Sequence, residues 1–397
     1  MNMDSKHRPI LILFAVFAAI LILFGIISIP RYFNVEKNIP ESASIETGKS
    51  ITPEEKPAPM KSEITQHLFD INGIPSGKAA TFAADGKEIW VTLLLNKARG
   101  VSIFDSADGK KIKDIDLSGG GGVELVFSRD GKYAYVSQLE TAKIFEIEVT
   151  SKKVLRSFDT NSSWTKFLEI SADNKTIFAS NWIGNDVSEI NLETGKLVRK
   201  LKTVATPRGL YATRDGNTLY VAGFDKGEIE KIDLKTGIGK VIYKTGGAMR
   251  HIVADEERGV LYVSDMAKNI IFQVSLVDDE VKEFAKTDNN PNTIVLSPDK
   301  KILFVSCRGR NFSADNYYVP GPEWGSVLLF DTSNGKMLDA IVGGNQPTAL
   351  AVSPDGKTLV FSDFLDAKLE VYAVPSYEAL KLANGGRSGE YKQHLKK

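Results

Sequence analysis

The chain has little of what most metal and thiol chemistry needs. Cys307 is the single cysteine among 397 residues, which excludes an internal disulfide, a thiolate zinc site, a thioredoxin-type dithiol and covalently attached c-type haem. The four histidines, His7, His67, His251 and His394, are scattered, so no multi-histidine centre is legible, and neither a metal nor a cofactor is expected. Net charge is absent as well, with 50 Lys+Arg against 50 Asp+Glu. Without a basic excess there is no overall attraction for a phosphate backbone, and nucleic acid is not expected as a partner.

Long apolar runs are missing everywhere except residues 10–29. At 1.5 Å per residue, about 20 apolar residues span a hydrocarbon core of about 30 Å. The run exceeds a secretory h-region of about 7–15 residues and leaves through Ser28-Ile29-Pro30-Arg31-Tyr32 with no small-x-small site. It is therefore read as an uncleaved signal-anchor: residues 1–8 in the cytoplasm, 9–30 across the membrane, the remainder outside, periplasmic or at the cell surface. Residues 31–61 are rich in Pro, Glu, Ser and Lys without apolar periodicity, the composition of a flexible linker.

What the sequence has in plenty is repetition. A turn followed by a short strand of aromatic-Val-Ser/Thr type recurs at Asp85, Asp130, Asp173, Asp215, Glu257, Asp299 and Asp355, with spacings of 45, 43, 42, 42, 42 and 56. The last spacing returns to about 42 once a 14-residue insertion in the sixth unit is set aside. The strands after the turns read WVTL, YVSQ, FASN, YVAG, YVSD, FVSC and VFSD. Each unit continues with a strand such as VSIFD or EIEKID, a turn such as Thr194-Gly195-Lys196 and a fourth strand. Four short strands in a period of about 40–45 residues make a β-propeller blade. Residues 62–377 thus predict an all-β, seven-bladed propeller of four-stranded blades, preceded by the one transmembrane helix. No fourth strand follows KLEVYAV in the last unit, whereas residues 64–71 supply one, so the N-terminal strand is expected to complete the last blade. Residues 378–397 read as a loose polar tail.

The recurring strand, with Pro207-Arg208-Gly209 and Pro347-Thr348-Ala349 upstream, S-P-D-G-K at 353–357 and T-G-K downstream, resembles the YVTN seven-bladed propeller repeat. That resemblance implies the fold over nearly all of residues 62–377 and leaves the function open, because binding proteins, lactonases, lyases and cofactor-dependent oxidoreductases share the architecture.

Strand polarity sends the start of every first strand to one face of the ring. By the repeat alignment the residues there are Lys78, Val123, Lys166, Arg208, Arg250, Asn292 and Thr348. Four are cationic and none is acidic, a ring able to attract an anion at the channel mouth despite zero net charge. Asp265, at the end of the fifth repeat strand, is read as a further ligand-binding candidate on this face. The alternative is that these residues splay into solvent or pair with nearby acids, as Arg250 with Asp265. The sixth-unit insertion, 307–326, falls on the same face with Arg308, Arg310, Phe312, Tyr318 and Trp324, and Trp182 of the third unit joins them. Such a surface suits a peptide, a sugar or a small anion, or else packs as an ordered lid. Met249-Arg250-His251 resembles the Pro-Arg-His stretch of seven-bladed lactonases, which implies Arg250 and His251 as catalytic candidates. The family's Asn-Glu on the following strand is here Asp265-Met266, so its glutamate is missing. The expected role is a membrane-anchored, non-catalytic binding or scaffold module at the cell envelope, with an envelope protein, a glycan or a small anion as partner. A lactonase-like hydrolase or lyase at the channel mouth is the alternative.

Overall fold

The computed structural model describes residues 62, 64–95, 100–312, 317–383 and 390–397. The expected anchor and linker lie outside the described residues. Among these no helix is long and apolar enough to cross a membrane.

Seven four-stranded antiparallel sheets are formed. In blade three, for example, Thr165–Ile170, Thr176–Asn181, Asp186–Asn191 and Leu197–Lys202 lie in chain order from the channel outward. The turn between first and second strands is fixed by side chains. In blade seven Ser353 Oγ donates to Asp355 at 2.6 Å, Asp355 accepts the Lys357 N–H at 3.0 Å, and Ser353 Oγ accepts the Thr358 N–H at 2.9 Å. The same arrangement occurs around Asp130, Asp173, Asp215 and Asp299. One residue of this turn is left-handed, which costs Gly131 nothing at φ 70°; Lys300 takes the same conformation at φ 62°.

The core lies between blades. The aromatic that opens each repeat strand, Trp90, Tyr135, Phe178, Tyr220, Tyr262 or Phe304, is at most 3% exposed. Each packs into the apolar face of the next blade: Tyr220 meets Ile252 and Leu261, and Phe304 meets Leu350 and Leu359. A blade therefore has no private core, and its stability comes from its neighbours.

The ring closes as the repeat arithmetic predicts. Gln66–Asn72 pairs antiparallel with Lys368–Ala373, so blade seven holds one strand from the N-terminal side and three from the C-terminal side. Within the segment read as a loose tail, the described residues are structured instead. A helix at Tyr377–Ala383 buries Leu380 against blades six and seven, and a short 3₁₀ turn at Glu390–His394 buries Tyr391.

Candidate functional site

In six of the seven blades the first strand carries a register irregularity at the channel, whereas Leu125–Phe127 of blade two pairs without one. In blade three the pairs Thr165↔Asn181 and Leu168↔Ala179 leave Lys166 and Phe167 together opposite Ser180. This is a β-bulge, which aims consecutive side chains the same way. It recurs at Lys78-Ala79, Arg208-Gly209, Arg250-His251, Asn292-Thr293 and Thr348-Ala349. The hydroxyl of the repeat strand holds the bulge and ties it to the next blade. Ser180 Oγ accepts the Phe167 N–H at 3.1 Å and donates to the Arg208 carbonyl at 2.8 Å. Ser137 bridges Glu124 to Lys166, and Ser362 bridges Ala349 to Gly77, in the same manner.

The bulges surround a cavity of about 210 Å³ whose polar lining includes Lys78, Glu124, Arg208, Arg250, His251 and Asn292. Arg208 and Arg250 are 6% and 7% exposed. Glu124, the residue after the ring position of blade two, approaches Arg208 Nη1 at 3.8 Å. Burial lifts its carboxyl above the usual range, although Arg208 pulls the other way. Burial, with Arg250, Arg308 and Arg208 nearby, holds the Lys78 ammonium well below its ordinary pKa. Lys166 is depressed likewise, by burial and by Arg208, Lys78 and Arg250. Its Nζ stands 3.6 Å from the Trp182 ring centroid and 5.7 Å from that of Trp164, a residue held at φ 60°. His251 Nδ1 accepts the Ile294 N–H at 3.1 Å, leaving the proton of the neutral ring on Nε2. Burial and the two arginines push its pKa down to about 3.

The cations raise one another's cost of charging, and a bound anion relieves that cost. The sequence-predicted Lys78, Arg208, Arg250 and Asn292 line the cavity, and Lys166 stands beside it under Trp182. Asp265 is not positioned to serve a ligand: its carboxylate accepts from Thr245 Oγ1 and from the N–H groups of Ala248, Ala267 and Lys268, closing a turn.

The insertion of blade six does not present its arginines and aromatics as one open surface. Arg308 is 2% exposed, donates to Gln346 Oε1 and sits 5.8 Å from the Phe364 ring, adding its charge to the lysine opposite. Trp324 is half-buried under the C-terminal residues, its backbone N–H donating to the Leu395 carbonyl at 2.7 Å and Lys397 Nζ standing 4.4 Å from its ring. Arg310 points outward in an ion pair with Glu323 at 3.3 Å, and Tyr318 remains 41% exposed, its ring 6.4 Å from that of Phe364. The C-terminal residues cover Trp324, and the repeat pattern carries no trace of that contact. Glu124 was legible only by reading two consecutive residues at each ring position instead of one.

The described residues form a seven-bladed β-propeller. Among solved structures it is similar to Kuenenia stuttgartiensis hydrazine synthase, with a TM-score of 0.65 and 16% identity over 76% of this chain and 96% of that one. At that identity the likeness is one of fold alone. A 66-residue stretch is 44% identical to Antigen Lp49 of Leptospira interrogans, spanning 17% of this chain and 14% of that protein. No protein-family model matches the chain.

Proposed function

We propose that the propeller is a non-catalytic binding module for a small anion, held at the cell envelope by the apolar segment at residues 10–29. The observation that carries this reading is the convergence of Lys78, Arg208 and Arg250 on one cavity with Glu124 as the only acid among its described lining residues. Lys166 and Arg308 add positive charge from beside it. Like charges gathered in a low-dielectric channel raise one another's cost of charging, which a bound anion lowers. The test is thermal melting and titration calorimetry of the full-length chain in detergent with inorganic phosphate, citrate and malate. An upward melting shift that disappears in Lys166→Ala/Arg208→Ala/Arg250→Ala, with a weaker salt dependence of whatever binding remains, supports the reading. No shift with any of these anions overturns it.

A second reading, a lactonase-like hydrolase or lyase, draws on Glu124 sharing the cavity with Arg250 and His251. A carboxyl with a raised pKa suits a general acid, whereas His251 Nδ1 is committed to a backbone N–H. Turnover of a small anionic lactone that falls at least about a hundredfold in Glu124→Gln would favour this reading; binding without turnover removes it.

A further inference from the structure

The lining of the cavity is sorted by depth. Along the first strands, Lys78, Arg208, Arg250 and Asn292 stand at the ring, with Glu124 and His251 one residue on. Three residues beyond the ring position each strand reaches the level opposite the aromatic of the repeat: Thr81↔Trp90, Val126↔Tyr135, Val253↔Tyr262 and Val295↔Phe304. Thr81 and the three valines line the same cavity, and at about 3.3 Å per residue they lie at most about 10 Å below the cations. Here the described lining holds no charged side chain. The valines are half-buried and rest against the apolar clusters between blades, and Thr81 directs its hydroxyl to the Phe82 carbonyl at 3.5 Å. The other three blades bring no cation to this level either. Tyr211 Oη donates to Glu256 at 2.7 Å, Glu169 approaches Arg129 at 3.7 Å, and Ala351 is buried.

Each end suits a different part of one molecule. Guanidinium groups match the planar, two-oxygen edge of a carboxylate, whereas valines gain by taking an alkyl group out of water. A second carboxylate or a hydroxyl carried down to the valines would lose its water with only the Thr81 hydroxyl to replace it. Size narrows the occupant further. A cavity of about 150 Å³ accommodates a six-carbon ring, so about 210 Å³ holds a carboxylate with a short chain. We infer that the channel of this propeller takes a compact aliphatic monocarboxylate of about four to six carbons, its carboxylate among Lys78, Arg208 and Arg250 and its chain against Val126, Val253 and Val295. This inference rests on the reading of the channel as an anion site and adds an apolar subsite to it.

The experiment compares, by calorimetry on the full-length chain in detergent, acetate, pentanoate, 4-hydroxybutyrate, glutarate and inorganic phosphate. 4-Hydroxybutyrate and glutarate are pentanoate with its end methyl replaced by a hydroxyl and by a carboxylate. Affinity is expected to rise about fourfold per added methylene from acetate to pentanoate. Pentanoate should bind at least about tenfold more tightly than 4-hydroxybutyrate or glutarate, while acetate and phosphate, which fill only the cationic end, bind weakly. Val253→Thr/Val295→Thr should weaken pentanoate at least about fivefold and leave acetate unchanged. The comparison of ligands on the unaltered protein stands even if that variant misfolds. Pentanoate binding no tighter than acetate, or no tighter than glutarate, overturns the apolar subsite and leaves the anion reading intact. Failure of all five compounds overturns both.

Discussion

A single hydroxyl per blade does two tasks at once. Thr92, Ser137, Ser180, Ser264, Ser306 and Ser362 each accept an N–H from the channel end of their own blade, and all are fully buried. Each also faces a carbonyl of the following blade. The third residue of the repeat strand is thus Ser or Thr because it staples neighbours, while Ala222 of blade four makes the exception. There the bulge instead packs closely: a Cβ on Gly209 would come within 2.8 Å of the Arg250 carbonyl. Ser180→Ala strands a buried N–H and a buried carbonyl and should cost about 1–3 kcal/mol in urea unfolding. The lysines of the ring work against the fold. Lys78 has a folded pKa below that of the unfolded chain, so between the two values the unfolded chain holds the extra proton. Its contribution to stability is present at high pH and is lost as pH falls through the folded pKa. Lys78→Met should therefore melt higher than the unaltered protein at pH 7 without ligand, and its melting temperature should rise less between pH 7 and 9. If the two proteins melt alike across that range, the charge at Lys78 is not strained.

At the scale of strands and turns, carboxylates carry the opposite pH dependence. Asp130, Asp173, Asp215 and Asp355 are held below the usual carboxylate range, each chiefly by the hydroxyl two residues earlier. That contribution is present above the unfolded value and is lost as pH falls through the folded one. The propeller should lose stability below about pH 4, and Asp215→Asn should lose a smaller share between pH 6 and 3, measured as the change in melting temperature. These turns were legible in the sequence because Ser-x-Asp-Gly chemistry is local, as was the order of strands, whose period-two pattern needs only one buried face. The ring residues Lys78, Lys166, Arg208 and Arg250 were legible for the same reason. Glu124 and His251 share the next position, and whether that position faces the channel depends on the local path of the backbone, a bulge in the case of His251, which no hydrophobic pattern records. The burial of Arg308 and Trp324 was beyond reach because the partners lie on other elements, Gln346 in one case and Leu395 in the other.

The propeller is a ring of seven interfaces without a disulfide, so its integrity depends on how the circle is closed. Gln66–Asn72 supplies the outer strand of blade seven along a register from Gln66↔Ala373 to Asn72↔Lys368. Just before it the chain reaches further back: Ser62 Oγ and Thr65 Oγ1 each donate to Asp339 Oδ2 at 2.5 Å, on the outer strand of blade six. Asp339 and Thr65 are both almost fully buried. The N-terminal strand therefore bridges two blades, and with it the exposed edge that would otherwise recruit another chain is covered. It also supports the site, because Ser362 of blade seven carries the Gly77 carbonyl immediately before Lys78. Removing residues 1–61 leaves all of these contacts in place, whereas removing residues 1–72 takes the strand and both hydroxyls. The shorter deletion should melt within a few degrees of the full chain; the longer one should melt well below it, aggregate through the uncovered edge of Lys368–Ala373 and lose anion binding along with its fold. Equal melting temperatures for the two truncations would mean that six interfaces hold the ring without the seventh blade's outer strand, and that the closing strand contributes no more than its own hydrogen bonds.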